Sequence, residues 1–335
     1  MAGEVCQSAG QAHHPDEGRG ASTVIPTKEN NMSKNEPTLP QASDLVTLVS
    51  FTFKFPGGIK VHKSASEELR QSKKVKKKSR AKVTVDILSS EDLADARKQG
   101  TAARNFLYKN SLAFEERNQR AVPNVLLDKV HNGLEEFGAK ADVHFEEFIA
   151  SHSSLQERFK QEAGDLETGV EFPTVEQLRE KYSWIVDTDV APDVTKLANV
   201  SLVGVTKQVE DSFKKRLVES HERKIARATD DVTKRVTNVI SEVVDHMDKF
   251  GRDGEGKLVG GFKDSLIGNV RELAGNLKAF NITNDPALEE VRKLLVDKVC
   301  KIDPQTLRDS EPLRREVKKD AEAILSKVGR FGKRD

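Results

Sequence analysis

The sequence predicts a mainly α protein: an elongated antiparallel helical hairpin or coiled-coil body, preceded by a small N-terminal antiparallel β-meander and a disordered tail. Three observations predict it. Apolar residues recur three or four apart over residues 205–250. Strict apolar/polar alternation is confined to the stretch between Leu45 and Ile87. Charged residues make up 33% of the 335 and aromatic residues only 5%, which suits helices with solvated flanks better than one thick core.

The first observation is the strongest. Val209, Phe213, Leu217, Ile225, Ala228, Val232, Val236, Val239, Val243, Met247 and Phe250 form one stripe, with His221 in its single polar slot. At ~1.5 Å per residue this helix reaches about 65 Å. Six pairs, Glu210/Lys214, Asp211/Lys215, Glu219/Arg223, Asp230/Lys234, Asp231/Arg235 and Asp245/Lys249, place an acid four residues before a base, the favourable order for helix ion pairs. The period approximates a coiled-coil seam, so another long helix should lean on this one. Phe262, Leu266, Val270, Leu273, Leu277 and Phe280 repeat at helical spacing beyond Gly251–Gly256, and are expected to fold back antiparallel.

From the start of the chain, residues 1–43 are rich in Gly, Ser, Pro, Asn and Gln and are expected to be a disordered tail. Met32 opens Met32-Ser33-Lys34, so the residues before it read as an upstream extension. Residues 44–88 are expected to form the meander. Leu45, Val49, Phe51, Phe53 and Phe55 alternate with Ser50, Thr52 and Lys54 as a half-buried strand. Pro56-Gly57-Gly58 turns the chain into a return strand at Ile59-Lys60-Val61, and Val83, Val85 and Ile87 mark a further one. Residues 89–165 are expected to be helical, with Ser89-Ser90 as N-caps and with Gly133 and Gly138 each weakening a long amphipathic stretch by ~1 kcal/mol. Residues 166–200 read as a connector containing a short helix around Val175 and the single tryptophan, Trp184, which should dock onto the protein's own helices. Residues 201–335 hold the long hairpin and C-terminal helices. There Asp285-Pro286, Asp303-Pro304 and Ser310 supply helix starts.

A net charge of +1 gives no global attraction to nucleic acid or membrane, so such affinity would need a local patch. Cys6 and Cys300 make neither a disulfide framework nor a zinc site, no apolar run approaches the ~20 residues of a membrane span, and a cytoplasmic location is expected.

One patch exists. Lys73, Lys74, Lys76, Lys77, Lys78, Arg80 and Lys82 form a run without acidic residues. It could neutralise several phosphates in a salt-dependent, sequence-independent manner. It lacks the interleaved aromatics of a single-strand stacking platform, and the bland reading is a solvated loop beside a strand edge. Gly251-x-x-x-x-Gly256-Lys257 resembles a phosphate-binding loop, but Leu258 stands where Ser or Thr would hold magnesium, so a turn between helices is expected. Asp128-x-x-His131, His144-x-x-Glu147 and Glu242 with His246 lack the paired Glu-x-x-His of di-metal bundles. No metal, no cofactor and no catalytic constellation are expected.

Phe172-Pro173-x-x-x-x-Leu178-Arg179 with Trp184 downstream, and Phe280-Asn281-Ile282-Thr283-Asn284-Asp285-Pro286, resemble an uncharacterised family of helical proteins from tailed phages and bacterial mobile elements. Leu307-Arg308, Arg314-Arg315 and Ile324-Leu325 add to the resemblance. Members are often encoded near a MoxR-type AAA+ ATPase and a von Willebrand A-domain protein. The resemblance implies a mobile-element setting and an ATPase-linked partner, and carries no catalytic residues. The function expected is a non-enzymatic scaffold or adaptor, with self-association as one form of partnering. The alternative is a nucleic-acid-binding accessory protein acting through residues 73–82.

Overall fold

A computed structural model describes residues 45–89, 91–114, 118–191, 201–252, 258–259 and 263–329. All of these belong to one compact unit, Pro40–Asp335. The expected tail and His13-His14, together with Cys6, lie outside the described residues. So does most of the glycine turn, residues 253–257.

The described chain is mainly α with a small antiparallel sheet, as expected, but the strands do not pair as a meander. Strand β1 (Val46–Lys54) turns at Pro56-Gly57-Gly58 into β2 (Ile59–His62), yet β2 pairs only with β3 (Val83–Asp86), beyond α1 (Lys63–Ser72). Helix α2 (Ala94–Lys109) leads into β4 (Leu112–Ala113) and β5 (Gln119–Pro123). Helices α3 (Leu127–Ala150), α4 (His152–Ala163) and α5 (Val175–Lys181) follow, then β6 (Ser183–Val190). The main sheet has the order β4-β5-β1-β6, with Leu48 opposite both Ala121 and Asp189. Thus β5 arises in the stretch expected to be helical and β6 in the expected connector.

The sheet joins two halves of the molecule, so β1 is covered on both faces over its first residues rather than half-buried. Val46 and Leu48, with Leu112 and Ala121, pack into the core of the C-terminal helices. Val49 and Phe51, with Val122, face Ala103, Leu107, Val130 and Leu134 of α2 and α3. Trp184 completes that second face, its ring 4.6 Å from Phe51 and 5.3 Å from Phe53. It therefore docks at home, but as a strand residue. Gly133 is explained by close approach: a Cβ there would stand 2.3 Å from the Phe106 ring, so the helix-weakening residue is what lets α2 and α3 meet. Ser89 does not cap α2. It exchanges hydrogen bonds with Asp92 in the turn before Leu93, the residue that precedes the helix.

The second half begins with α6 (Lys207–Lys249), 43 residues long. A two-residue strand β7 (Gly251–Arg252) pairs with β8 (Leu258–Val259), after which α7 (Ser265–Phe280) returns. Helices α8 (Pro286–Leu295), α9 (Pro304–Asp309) and α10 (Glu311–Val328) complete the bundle. Their starts are as expected. Asp285 accepts from the Ala287 N–H at 2.8 Å, Asp303 from Thr306 at 2.9 Å and Ser310 from Leu313 at 3.3 Å. The return helix α7 does pack on α6, but α10 covers more of it, joined also by Lys318 to Asp248 at 2.5 Å. Ile240, absent from the predicted stripe, is fully buried, while Val239 sits at the margin.

Candidate functional site

The lysine run is a formed loop. It leaves α1 at Lys73, passes Lys74 in the left-handed backbone region at φ 52°, makes a single helical turn over Lys78–Arg80 and enters β3. Local bonds hold its base: Arg70 donates to the Ala81 carbonyl at 3.2 Å, and the Ser66 hydroxyl accepts from Val83 N–H at 2.9 Å. Lys73, Lys74, Lys76, Lys77, Lys78, Arg80 and Lys82 are all exposed, and none makes an ion pair among the described residues. Lys78 does help Arg70 hold the Glu67 carboxyl below its usual range, Arg70 being the larger cause. The seven cations thus share one connection between α1 and the β2–β3 ribbon and remain available to an anionic surface.

A second surface was legible only in part. The stripe of α6 is continuous in sequence but not in burial. Ala228, Val232, Val236, Ile240, Val243 and Met247 are buried. Val209 and Phe213 are 53% and 47% exposed, Val218 adds an apolar side chain to the same half, and the exposed Val205 stands just before the helix. Of the expected ion pairs, Glu210–Lys214 (2.5 Å), Asp230–Lys234 (2.6 Å), Asp231–Arg235 (2.8 Å) and Asp245–Lys249 (3.9 Å) form, whereas Lys215 turns to Glu219 at 3.9 Å. His221 marks the boundary. Its ring meets Phe114 edge-on at 6.5 Å, and burial, then the neighbouring Lys224, push its pKa below the ordinary histidine value. Exposure of Phe213 could not be read from periodicity, because a stripe of this kind is the same whether or not a neighbour covers it.

Two of the candidate histidines pair locally. His144 Nδ1 lies 3.1 Å from Glu147 and His246 Nδ1 lies 2.9 Å from the Glu242 carbonyl. Among the described residues no three His, Cys, Asp or Glu side chains converge as a metal set, and no helix is long and apolar enough to cross a membrane. Asp253, Gly254, Gly256 and Lys257 of the phosphate-loop-like turn lie outside the described residues. Comparison of the chain with protein-family models, with curated proteins and with solved structures finds no match.

Proposed function

We propose that the protein is a non-enzymatic helical scaffold or adaptor that holds a protein partner along the first half of α6. The observation that carries this reading is the division of one 43-residue helix into an anchored half and an uncovered apolar half. Helix-on-helix recognition uses anchors one turn apart on an amphipathic face, and Val209 and Phe213 have that spacing on α6. The family resemblance suggests the partner class, a AAA+ ATPase in the cytoplasm of a phage-bearing or element-bearing host.

Size-exclusion chromatography with light scattering, on the protein alone and co-expressed with the AAA+ ATPase, tests this. The paired change Val209→Asp and Phe213→Asp should abolish a complex formed by the parent while leaving the melting curve in place. A dimer lost in the same variant would make the stripe a self-association surface. A complex that survives the change would overturn the reading.

A second reading is favoured by the seven exposed, unpaired cations of the lysine loop: accessory binding of nucleic acid. Changing Lys73, Lys74, Lys76, Lys77 and Lys78 to Gln should abolish gel retardation of DNA or RNA without altering helicity. Seven phosphate contacts would give a slope of log affinity against log salt of about −6 on duplex DNA. Retardation that persists in the variant removes the loop as the binding surface.

A further inference from the structure

A cavity of about 480 Å³ opens where the end of α2, strand β5 and the middles of α6 and α7 meet. That volume lies within the ~300–1,000 Å³ of small-molecule sites. It is remote in sequence from the lysine loop and lies on the anchored half of α6, so it belongs to neither surface described above.

Its polar wall is an unequal charge cluster. The Asp231 carboxylate stands between two guanidinium groups. Arg235 donates from Nε to Oδ1 at 3.3 Å and from Nη2 to Oδ2 at 2.8 Å, and Arg120 donates from Nη2 to Oδ2 at 3.2 Å. The Ala113 N–H donates to the same Oδ2 at 2.8 Å, so this carboxylate is fully engaged. Arg120 is further clamped by Ser111, Nε to the hydroxyl at 3.1 Å and Nη2 to the carbonyl at 3.1 Å. Each guanidinium is therefore held along one edge. Neither Nη1 has a hydrogen-bond partner among the described residues, and a guanidinium offers five N–H donors.

The charges do not cancel. At the rim Lys109 pairs with Glu272 at 2.9 Å, leaving two arginines against one aspartate within. The lining thus carries three cations and two anions, one positive charge in excess. Arginine does not shed its proton to relieve this. Burial, and to a smaller degree Arg235, hold the Arg120 pKa below the ordinary value, with Asp231 opposing. A cluster serving packing alone would be cheaper with charges matched, since a partly buried cation without a full counter-charge is costly. The rest of the lining suits a compact organic body. The Tyr108 ring carries the Arg120 guanidinium 4.7 Å from its centre, Val239 and Leu273 are apolar, and the Asn238 amide makes no hydrogen bond among the described residues.

We propose that this cavity binds a small organic anion, its carboxylate or phosphate on the unpaired Nη1 donors of Arg120 and Arg235 and its body against Tyr108, Val239 and Leu273. Charge-assisted N–H donors of guanidinium groups suit the oxygens of these two anions, and the cavity leaves room for an attached ring.

Isothermal titration calorimetry on the full chain, with benzoate as the carboxylate probe, adenosine monophosphate as the phosphate probe and benzamide as the neutral control, tests this. One of the two anions should bind saturably with one site per chain, and benzamide should not. Arg235→Gln should weaken that binding at least tenfold. If circular dichroism shows this variant unfolded, Asn238→Asp decides instead. It sits exposed on the rim, cancels the excess charge and should weaken binding by a similar factor. Failure of both anions to bind, equal binding of benzamide, or unchanged affinity in the folded variants would each overturn the proposal. These outcomes are independent of the partner test on Val209 and Phe213.

Discussion

The two halves of α6 share one amphipathic design and meet opposite fates. From Val209 to Ile225 the stripe advances in steps of four, through Phe213, Leu217 and His221, which winds it about 160° around the helix at 3.6 residues per turn. From Val232 to Met247 the steps are four, four, three and four, through Val236, Ile240 and Val243, a drift of only about 60°. A roughly straight neighbour can follow the second line over four turns but not the first. Helices α7 and α10 follow it, and all five side chains are buried. Helix α7 ends at Phe280, beside Thr229 and Arg235, so the first half of α6 runs on past it, and Val209 and Phe213 are left facing solvent. What matters for burial is whether a neighbouring helix reaches a stripe as well as its apolarity.

The largest expected effect comes from placing a charge in the covered half. Val236 is fully buried, and Val236→Asp should cost several kcal/mol, a large part of a typical total of ~5–15 kcal/mol. The measurement is a thermal or urea melt. A variant that melts like the parent would mean that α7 and α10 do not cover this stripe in solution. The same change at Phe213 should leave stability nearly untouched, as should Lys234→Ala, which removes only an exposed pair with Asp230. If Phe213→Asp unfolds the isolated chain, the contrast between the halves is lost.

A smaller effect is expected at the boundary, through His221. Its folded pKa lies below its unfolded one, so folding favours the neutral ring. The contribution is fully present above the unfolded value, ~6.5, and is lost as pH falls through the folded value. Thermal midpoints should therefore fall between about pH 7.5 and about pH 5, and His221→Gln should flatten that part of the curve. A slope unchanged in the variant would place the acid sensitivity elsewhere.

How much of this was legible follows the range of each interaction. The starts of α8, α9 and α10 were readable because Asp285, Asp303 and Ser310 each bond a backbone N–H two or three residues on. The i,i+4 pairs of α6 were readable for the same reason. The helix-weakening glycine at 133 was readable as a cost but not as a purpose, since its reason is Phe106 on another helix.

By itself the sequence determined the helical class, the place and length of α6, the caps of α8, α9 and α10 and the exposed lysine loop. Each of these rests on periodicity, capping or charge within a few residues. Tertiary structure alone decided that β1 pairs with β5 and β6, since any strand edge offers the same backbone donors and acceptors and nothing local names the partner. It also decided that Ile240 rather than Val239 enters the core, because that depends on where α7 and α10 lie. And it brought Arg120 to Asp231 across 111 positions, turning what read as a solvated helix pair into the charged wall of a cavity. Chain folding sets such juxtapositions through the sum of many packing contacts, and no window of neighbouring residues contains that sum.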